Sequence, residues 1–368
     1  MSDETTNLDE TDGLAHGETL LQVFERFEGP HTIGSSTRFW AGFWALTALA
    51  FIYPFTTNEY AVLTTTVLFV WVFLALSLSV IWGYSGIFSF GQTAFFGIGG
   101  YSFGVIGINL LPVTGGTNLA LLVAIVFPAL VAAVIGYFMF YGRVSGVYVA
   151  IITLATTLIL ELLFSRTAGQ QYAIGEAQLG GYNGMTGIPS IVLGAGSATI
   201  ELGANGMYFF VLTLFVLTYL ALRYVLNSNY GYVMVATRES EDRTEMFGYD
   251  IRLLKLQVFT AAGGLAGLGG ALYASAGNFI SPPVMGLAFA ALPVIWITVG
   301  GRTTLIGAIV GTLGLRFFSN ELAAAGSEYA TIFLGVVLLV AVLLLPDGVV
   351  PTIQRYWERR AQNPEGDQ

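Results

Sequence analysis

The chain has 368 residues, of which 55% are hydrophobic and only 10% charged, where a soluble globular protein carries about 25% charged residues. It therefore reads as an all-α, polytopic membrane protein. Cysteine is absent, and the only histidines, His16 and His31, precede the first apolar run, which excludes disulfides, thiolate metal sites and histidine chemistry at membrane depth.

The net charge of −9 is unevenly placed, with eight of the 23 acidic residues in the first 28 positions. Residues 1–38 read as an acidic, largely disordered cytoplasmic tail. A basic n-region is missing, so this stretch is not a signal peptide. One lysine, Lys255, stands against thirteen arginines, and an acidic, lysine-poor chain points toward a salt-loving prokaryotic source.

A bilayer core requires roughly 17 to 25 mostly apolar residues per helix. Ten runs answer to this: 39–55, 60–81, 86–111, 118–141, 145–164, 207–225, 257–275, 285–300, 303–319 and 329–346. The third is long and is expected to break near Gly91. The eighth and ninth are short and separated only by Gly301 and Arg302, so they read as two spans or as one re-entrant pair. With the amino terminus inside, twelve of the fourteen basic residues fall on the cytoplasmic side, and only Arg166 and Arg316 fall toward the outside. The positive-inside rule selects this orientation and places both termini in the cytoplasm. The expected organisation is a 39–350 transmembrane domain in the cell membrane, followed by a 351–368 cytoplasmic tail. An external connection spans 165–206 and a cytoplasmic one spans 226–256. Five runs on each side of the external connection suggest an inverted 5+5 arrangement.

Several motifs are missing. The sole lysine is followed by Leu256, so no P-loop exists to hydrolyse ATP. Neither a metal-ligand cluster nor a chain of intramembrane acids is present, which speaks against an ion-coupled transporter and against a membrane-embedded enzyme. Glu161 and Arg316 stand near the outer ends of their runs and are candidates to pair with each other or to reach water.

The stretch WGYSGIFSFGQTAFFGIGGY, residues 82–101, is loose and polar for a membrane span. Gly100 with Gly104, Gly263 with Gly267 and Gly307 with Gly311 have the spacing that lets helix backbones pack closely in lipid. Packing does not account for Ser85, Ser89, Gln92 and Thr93. Polar groups in a bilayer need protein partners or a wet cavity, so these four are the candidate lining of a translocation path. In the cytoplasmic connection, Arg238, Glu239, Glu241, Asp242, Arg243 and Glu245 form a charged segment between apolar pairs. Glu239 and Arg243 have favourable i, i+4 spacing, and Gly248 is placed to end the helix. A short helix of this kind suits docking into a groove on a soluble partner.

Taken together, GYSGIFSFGQTAFFGIGGY, GVYVAIITLATTLILELLF, GGYNGMTGIP, RESEDRTEMFGYDIRLLKL, AGGLAGLGGALYASAGNFISPP, VGGRTTLIGAIVG and LLLPDGVV resemble, in order, the membrane permeases of ABC importers for branched-chain amino acids, amides and urea. The resemblance covers about 85 to 350. It implies a non-catalytic subunit that binds no cofactor, with ATP and magnesium used by two separate ATPase subunits. It also implies a second homologous permease and an extracytoplasmic solute-binding protein as partners, membrane lipid around the chain, and no nucleic acid. The long cytoplasmic loop would supply the helix that couples to the ATPase. The family pattern there is glutamate-alanine-alanine, three residues, then glycine. Gly248 fits, but the triplet is Asp242, Arg243 and Thr244. The asparagine-glycine element at Asn183 resembles the lineage with the longer external loop and adds Asn183 to the path candidates. GQ at 91–92, NGMT at 183–186 and VGGRTTLIG at 299–307 look closer to the urea branch. The expected substrate is therefore urea or a short amide, with branched-chain amino acids as the alternative.

Overall fold

The computed structural model describes residues 27–324 apart from 35 and 197, isolated positions between 332 and 340, and residues 347–362. Positions 1–26 of the expected tail and most of the tenth run lie outside the described residues.

The fold is a bundle of helices. Helix α1, Thr37–Ile52, begins at Ser36, whose side chain accepts the Phe39 N–H, and ends in a 3-10 turn, Tyr53–Phe55. Asn58 caps α2, Glu59–Leu78, in the same way, accepting the Ala61 N–H. These caps satisfy donors that a helix start leaves free. Helix α2 then widens into a π-helical turn, Ser79–Tyr84. Next come α3, Gln92–Thr114, α4, Asn118–Tyr141, and α5, Val147–Ser165. Helix α6 spans Ala204–Leu226, and two short helices follow, α7, Asn229–Glu239, and α8, Glu241–Met246. The long α9, Ile251–Gly277, is capped by Asp250 and stopped by Asn278 in left-handed conformation. Helices α10, Leu287–Gly300, α11, Leu305–Ala324, and α12, Val349–Gln362, complete the described order.

Seven of these helices, α2 with its π turn, α3, α4, α5, α6, α9 and α11, are long and apolar enough to cross a membrane. The protein is thus an all-α polytopic membrane protein. Helix α10 has 14 residues and is about 21 Å long at 1.5 Å per residue, short of a straight crossing. The spans around α2, α3 and α9 are buried over most of their length and form the centre of the bundle. The α4, α5 and α6 spans expose most of theirs, as lipid-facing helices do.

The bundle has two distinct ends. At one, here called the basic end, Arg223, Arg238, Arg302, Lys255 and Arg355 gather around the connections. At the other, the 165–206 connection folds into short strands. β1 (Ala173–Ile174) pairs with β2 (Ala177–Gln178), and β4 (Val192–Ala195) pairs with β5 (Ala198–Glu201), both antiparallel. β3 (Met185–Thr186) pairs with β6 (Phe279–Ile280), just past α9. Met185, Ile188, Ile280 and Met285 are almost wholly buried there and close this end over α3.

The sequence-based boundaries need two corrections. The third span does not begin at 86, because residues 85–91 are not helical and α3 starts at Gln92. The charged segment in the 226–256 connection is not one helix. Ser240, at φ −162 and ψ 109, breaks it into α7 and α8. Within the region read as the 351–368 tail, α12 is a helix whose Pro351 packs against Gly301.

Candidate functional site

The non-helical segment 85–91 joins the π turn to α3. Gly86 takes φ +74, a conformation open to glycine at little cost. Its N–H donates to the Trp82 carbonyl at 3.2 Å, and the Ile87 N–H donates to Ile81 at 2.8 Å. Beyond this wrap, backbone groups inside an apolar bundle need side-chain partners, and α5 provides them. Thr153 Oγ1 accepts the Phe90 N–H at 3.1 Å, and Thr157 Oγ1 donates to the Phe90 carbonyl at 3.3 Å. Ser89 Oγ accepts the Gly91 N–H at 3.0 Å, and Thr93 Oγ1 donates to Phe90 at 3.4 Å.

Ser85, Ser89, Gln92 and Thr93 are all at most 3% exposed, but they divide by bonding. Ser89 and Thr93 serve the local backbone. Ser85 Oγ and both polar atoms of the Gln92 amide have no hydrogen-bond partner. A buried unpaired polar group costs about 1–3 kcal/mol, so Gln92 and Ser85 are the members of the set with free bonding capacity. Asn183 is not with them. It is exposed in a 3-10 turn of the hairpin end, next to Gly184, where an added Cβ would collide with the Ile280 carbonyl.

The segment is also tied to the basic end. Arg238, at the end of α7, donates to the Gly83 carbonyl at 2.6 Å and pairs with Glu239 at 2.7 Å. A Cβ at Gly86 would meet the Arg238 chain at 3.2 Å. The expected Glu239–Arg243 pair is absent, because the break at Ser240 puts the two on different helices. Lys255 pairs with Glu241 instead, at 2.5 Å. Ser240 Oγ caps α8 by accepting the Arg243 N–H. Glu241, Asp242, Arg243 and Glu245 face outward, and Gly248 turns the chain at φ +89. At the end of α8, Met246 and Phe247 are 85% and 82% exposed, an apolar tip on a charged turn.

The glycine sets act at different seams. A Cβ at Gly263 or Gly267 would strike α4 at Ala132, or at the Ala124 carbonyl and Pro128. Gly307 and Gly311 lie against the Gly300–Gly301 and Trp296 backbone at the end of α10. Gly100 faces Ile280 and the Gly270 carbonyl, whereas Gly104 faces Met185 and Ile188 of the hairpin end rather than a helix. The closest α3–α9 approach uses Gly99 and Gly270, where a Cβ would collide with the carbonyls of Gly267 and Phe96.

Two arginines lie deep in the fold. Arg223, at the end of α6, is 0% exposed. Its guanidinium donates to the carbonyls of Phe27, Ile33 and Gly34 and to the Tyr219 hydroxyl, and it also lies over the rings of Phe39 and Trp40. Arg316, on α11, stacks over Trp71 at 4.6 Å and approaches Trp296 at 5.8 Å. Its Nε is buried without a partner, and it forms no ion pair with Glu161, whose carboxylate lies by Gly286. An arginine at a membrane helix centre costs about 3 kcal/mol, and a desolvated cation–π contact returns about 2. The stack offsets most of that cost and leaves the donor edge unserved.

Sequence reasoning missed Thr153, Thr157 and the role of Arg238. The threonines carried a signal, since their i, i+4 spacing places both on one face of an apolar helix. Arg238 carried none, because its partner is a carbonyl 155 positions away. Among the described residues no group of three or more His, Asp or Glu side chains could hold a metal ion.

Comparison with known proteins identifies the family. The profile described as "Branched-chain amino acid transport system / permease component" matches residues 60–342. The chain is 25% identical over 354 residues to the high-affinity branched-chain amino acid transport system permease protein LivM of Escherichia coli K12, covering 88% of this chain and 78% of that one. The Salmonella typhimurium LivM is similar at 25% over 352 residues, with the same coverage. A probable branched-chain amino acid transport permease protein LivM of Methanocaldococcus jannaschii is similar at 24% over 324 residues, covering 76% of this chain and 89% of that one. No solved structure matches the chain. The urea-like reading of 91–92, 183–186 and 299–307 finds no support in these relatives, all of which carry branched-chain names. The chain, a helical membrane bundle matched over most of its length, belongs to the family of permease components of branched-chain amino acid transport systems and is a non-catalytic subunit of an ABC importer for a small polar solute.

Proposed function

We propose that the solute is a branched-chain amino acid, leucine, isoleucine or valine, and that this chain forms one half of its path across the membrane. The observation that carries the reading is the family match over 60–342, joined by three LivM relatives. Urea becomes the second choice, since only the three short peptide likenesses favour it. In this reading the basic end faces the cytoplasm, as the arginine distribution favours, and α8 with its Met246–Phe247 tip docks on one of two ATPase subunits. Movement there reaches the segment 85–91 through Arg238 and the Gly83 carbonyl. A second, homologous permease completes the path, and an extracytoplasmic binding protein delivers solute at the hairpin end. Gln92 and Ser85 line the route with neutral polar groups.

The test is uptake by the complete importer, with its ATPases, second permease and binding protein, reconstituted in liposomes. ATP-dependent accumulation of leucine, isoleucine or valine supports the proposal. Accumulation of urea with none of these amino acids overturns it. Gln92→Leu lowers uptake severalfold while the amount of assembled complex is unchanged. Full uptake by that variant removes Gln92 from the path.

A further inference from the structure

We infer that Arg316 and the rings packed around it form a carboxylate-binding site, where an α-amino acid is held by its carboxylate. The inference rests on the amino-acid reading above and adds the residues that recognise the solute.

Four observations converge. The first is depth. Arg316 lies eleven residues into the 20-residue α11, about 17 Å along it at 1.5 Å per residue, so it is far from both helix ends. An ionisable side chain at such a position marks a functional site by default, with a partner to be named. The second is the absence of an internal anion. The ion pairs among the described residues are Arg238–Glu239, Lys255–Glu241 and Arg355–Asp347, all at the basic end.

The third is donor count. Arg316 Nε is buried without a hydrogen-bond partner, and so is Nε1 of Trp71, the very ring it stacks on. Two neighbouring donors lack an acceptor. A carboxylate is acceptor-only, with two oxygens and room for both. Water or a hydroxyl would bring a donor of its own.

The fourth is the chemistry of the donor. A guanidinium offers its N–H groups in a planar fork that matches a carboxylate, and Arg316 lies over Trp71 with its Cζ 4.6 Å from the ring centroid. The walls are apolar and come from separate helices. Trp71 of α2 packs on Tyr273 of α9 with centroids 5.1 Å apart, on Phe289 of α10 at 5.9 Å and on Trp296 of α10 at 5.9 Å. The rings around the guanidinium keep bulk water away from it, which strengthens a charge-assisted contact. A cationic donor offers less to urea, which has no anionic group.

The experiment uses the complete importer in liposomes and compares wild type with Arg316→Gln, Arg316→Lys and Trp71→Phe. For each, ATP-driven leucine uptake, assembly with the second permease and ATPase stimulation by leucine-loaded binding protein are measured. Arg316→Gln is expected to lose about tenfold or more in leucine uptake, the loss of a charge-assisted contact, with assembly and stimulated ATPase retained. Arg316→Lys recovers part of the loss, because it keeps the charge but not the fork. Trp71→Phe keeps an aromatic ring, removes one donor and loses about threefold, a single hydrogen bond from an uncharged donor. Leucine uptake by Arg316→Gln at the wild-type rate overturns the site. Failure of Arg316→Gln to assemble, with no rescue by lysine, also overturns it and assigns Arg316 to an acidic group on the second permease. A wild-type importer that moves urea and no amino acid defeats the functional reading itself, which separates that failure from the site's.

Discussion

Arg223 and Arg316 are the same side chain in two environments, and the difference between them separates structure from work. Arg223 is wholly buried and Arg316 partly so, and both lie over aromatic rings. Arg223 is surrounded by acceptors, with the backbone of residues 27–34 wrapped around its fork. It also lies in the last turn of α6, where a cation complements the helix dipole. Arg316 has rings, and its Nε is buried without an acceptor. A fully bonded buried charge fixes a fold, whereas one left with free donors at membrane depth is held at a cost that a ligand would relieve.

That contrast can be broken most strongly at Arg223. Arg223→Met strands the Ile33 and Gly34 carbonyls, leaves Phe27 only its bond from the Asn227 amide and releases the 27–34 collar, and a loss of about 3 kcal/mol or more in thermal stability is expected from unpaired buried groups. Arg316→Met, measured alongside, changes stability by less than about 1 kcal/mol, since exchanging a poorly paired buried charge for an apolar group is often neutral. Equal losses in a melting experiment on the purified complex would erase the distinction.

The next largest effect is expected at the backbone contact behind the rings around Arg316. Gly270→Ala drives a methyl group into the Phe96 carbonyl, and overpacking of this kind costs about 1–3 kcal/mol. Phe96 stacks on Trp71 at 5.3 Å and meets Tyr273 at 5.6 Å, so leucine uptake falls together with stability. Gly104→Ala presses on Met185 Sδ and the tip of Ile188, side chains that are able to move, and is milder in both assays.

The smallest effect is expected at the basic end. Arg238→Ala removes the link between α7 and the π turn but leaves the spans intact. The ratio of solute moved to ATP hydrolysed falls about fivefold, the low end of a typical coupling energy, while the melting temperature holds. An unchanged ratio would take Arg238 out of the transmission route.

Much of the bundle was legible before any coordinates, because each span is a local fact. Burying about 20 apolar residues in lipid depends on that segment's own composition, and Asn58, Ser240 and Asp250 cap helices through neighbours two or three residues away. The break ahead of α3 was legible too, from the glycines and polar residues of 82–101, although the sequence placed the helix start six residues early. The Glu239–Arg243 pair was misread because i, i+4 spacing matters only on an unbroken helix, and Ser240 turns the chain. Gly100 was chosen over Gly99 because a motif gives spacing, while the face that meets α9 is set by the rotation of the packed helix.

The sequence alone therefore determined the class of protein and the polar stretch, and its ten apolar runs include the seven helices long enough to cross a membrane, since hydrophobic transfer is summed residue by residue along the chain. Tertiary structure decided which polar atoms are satisfied. Thr153 and Thr157 serve Phe90, Arg238 reaches Gly83, and Trp71, Tyr273, Phe289 and Trp296 gather near Arg316 from α2, α9 and α10. Those partners are far apart in the chain, and a hydrogen bond or ring contact depends on distance and direction in space, which helix packing sets and local composition does not.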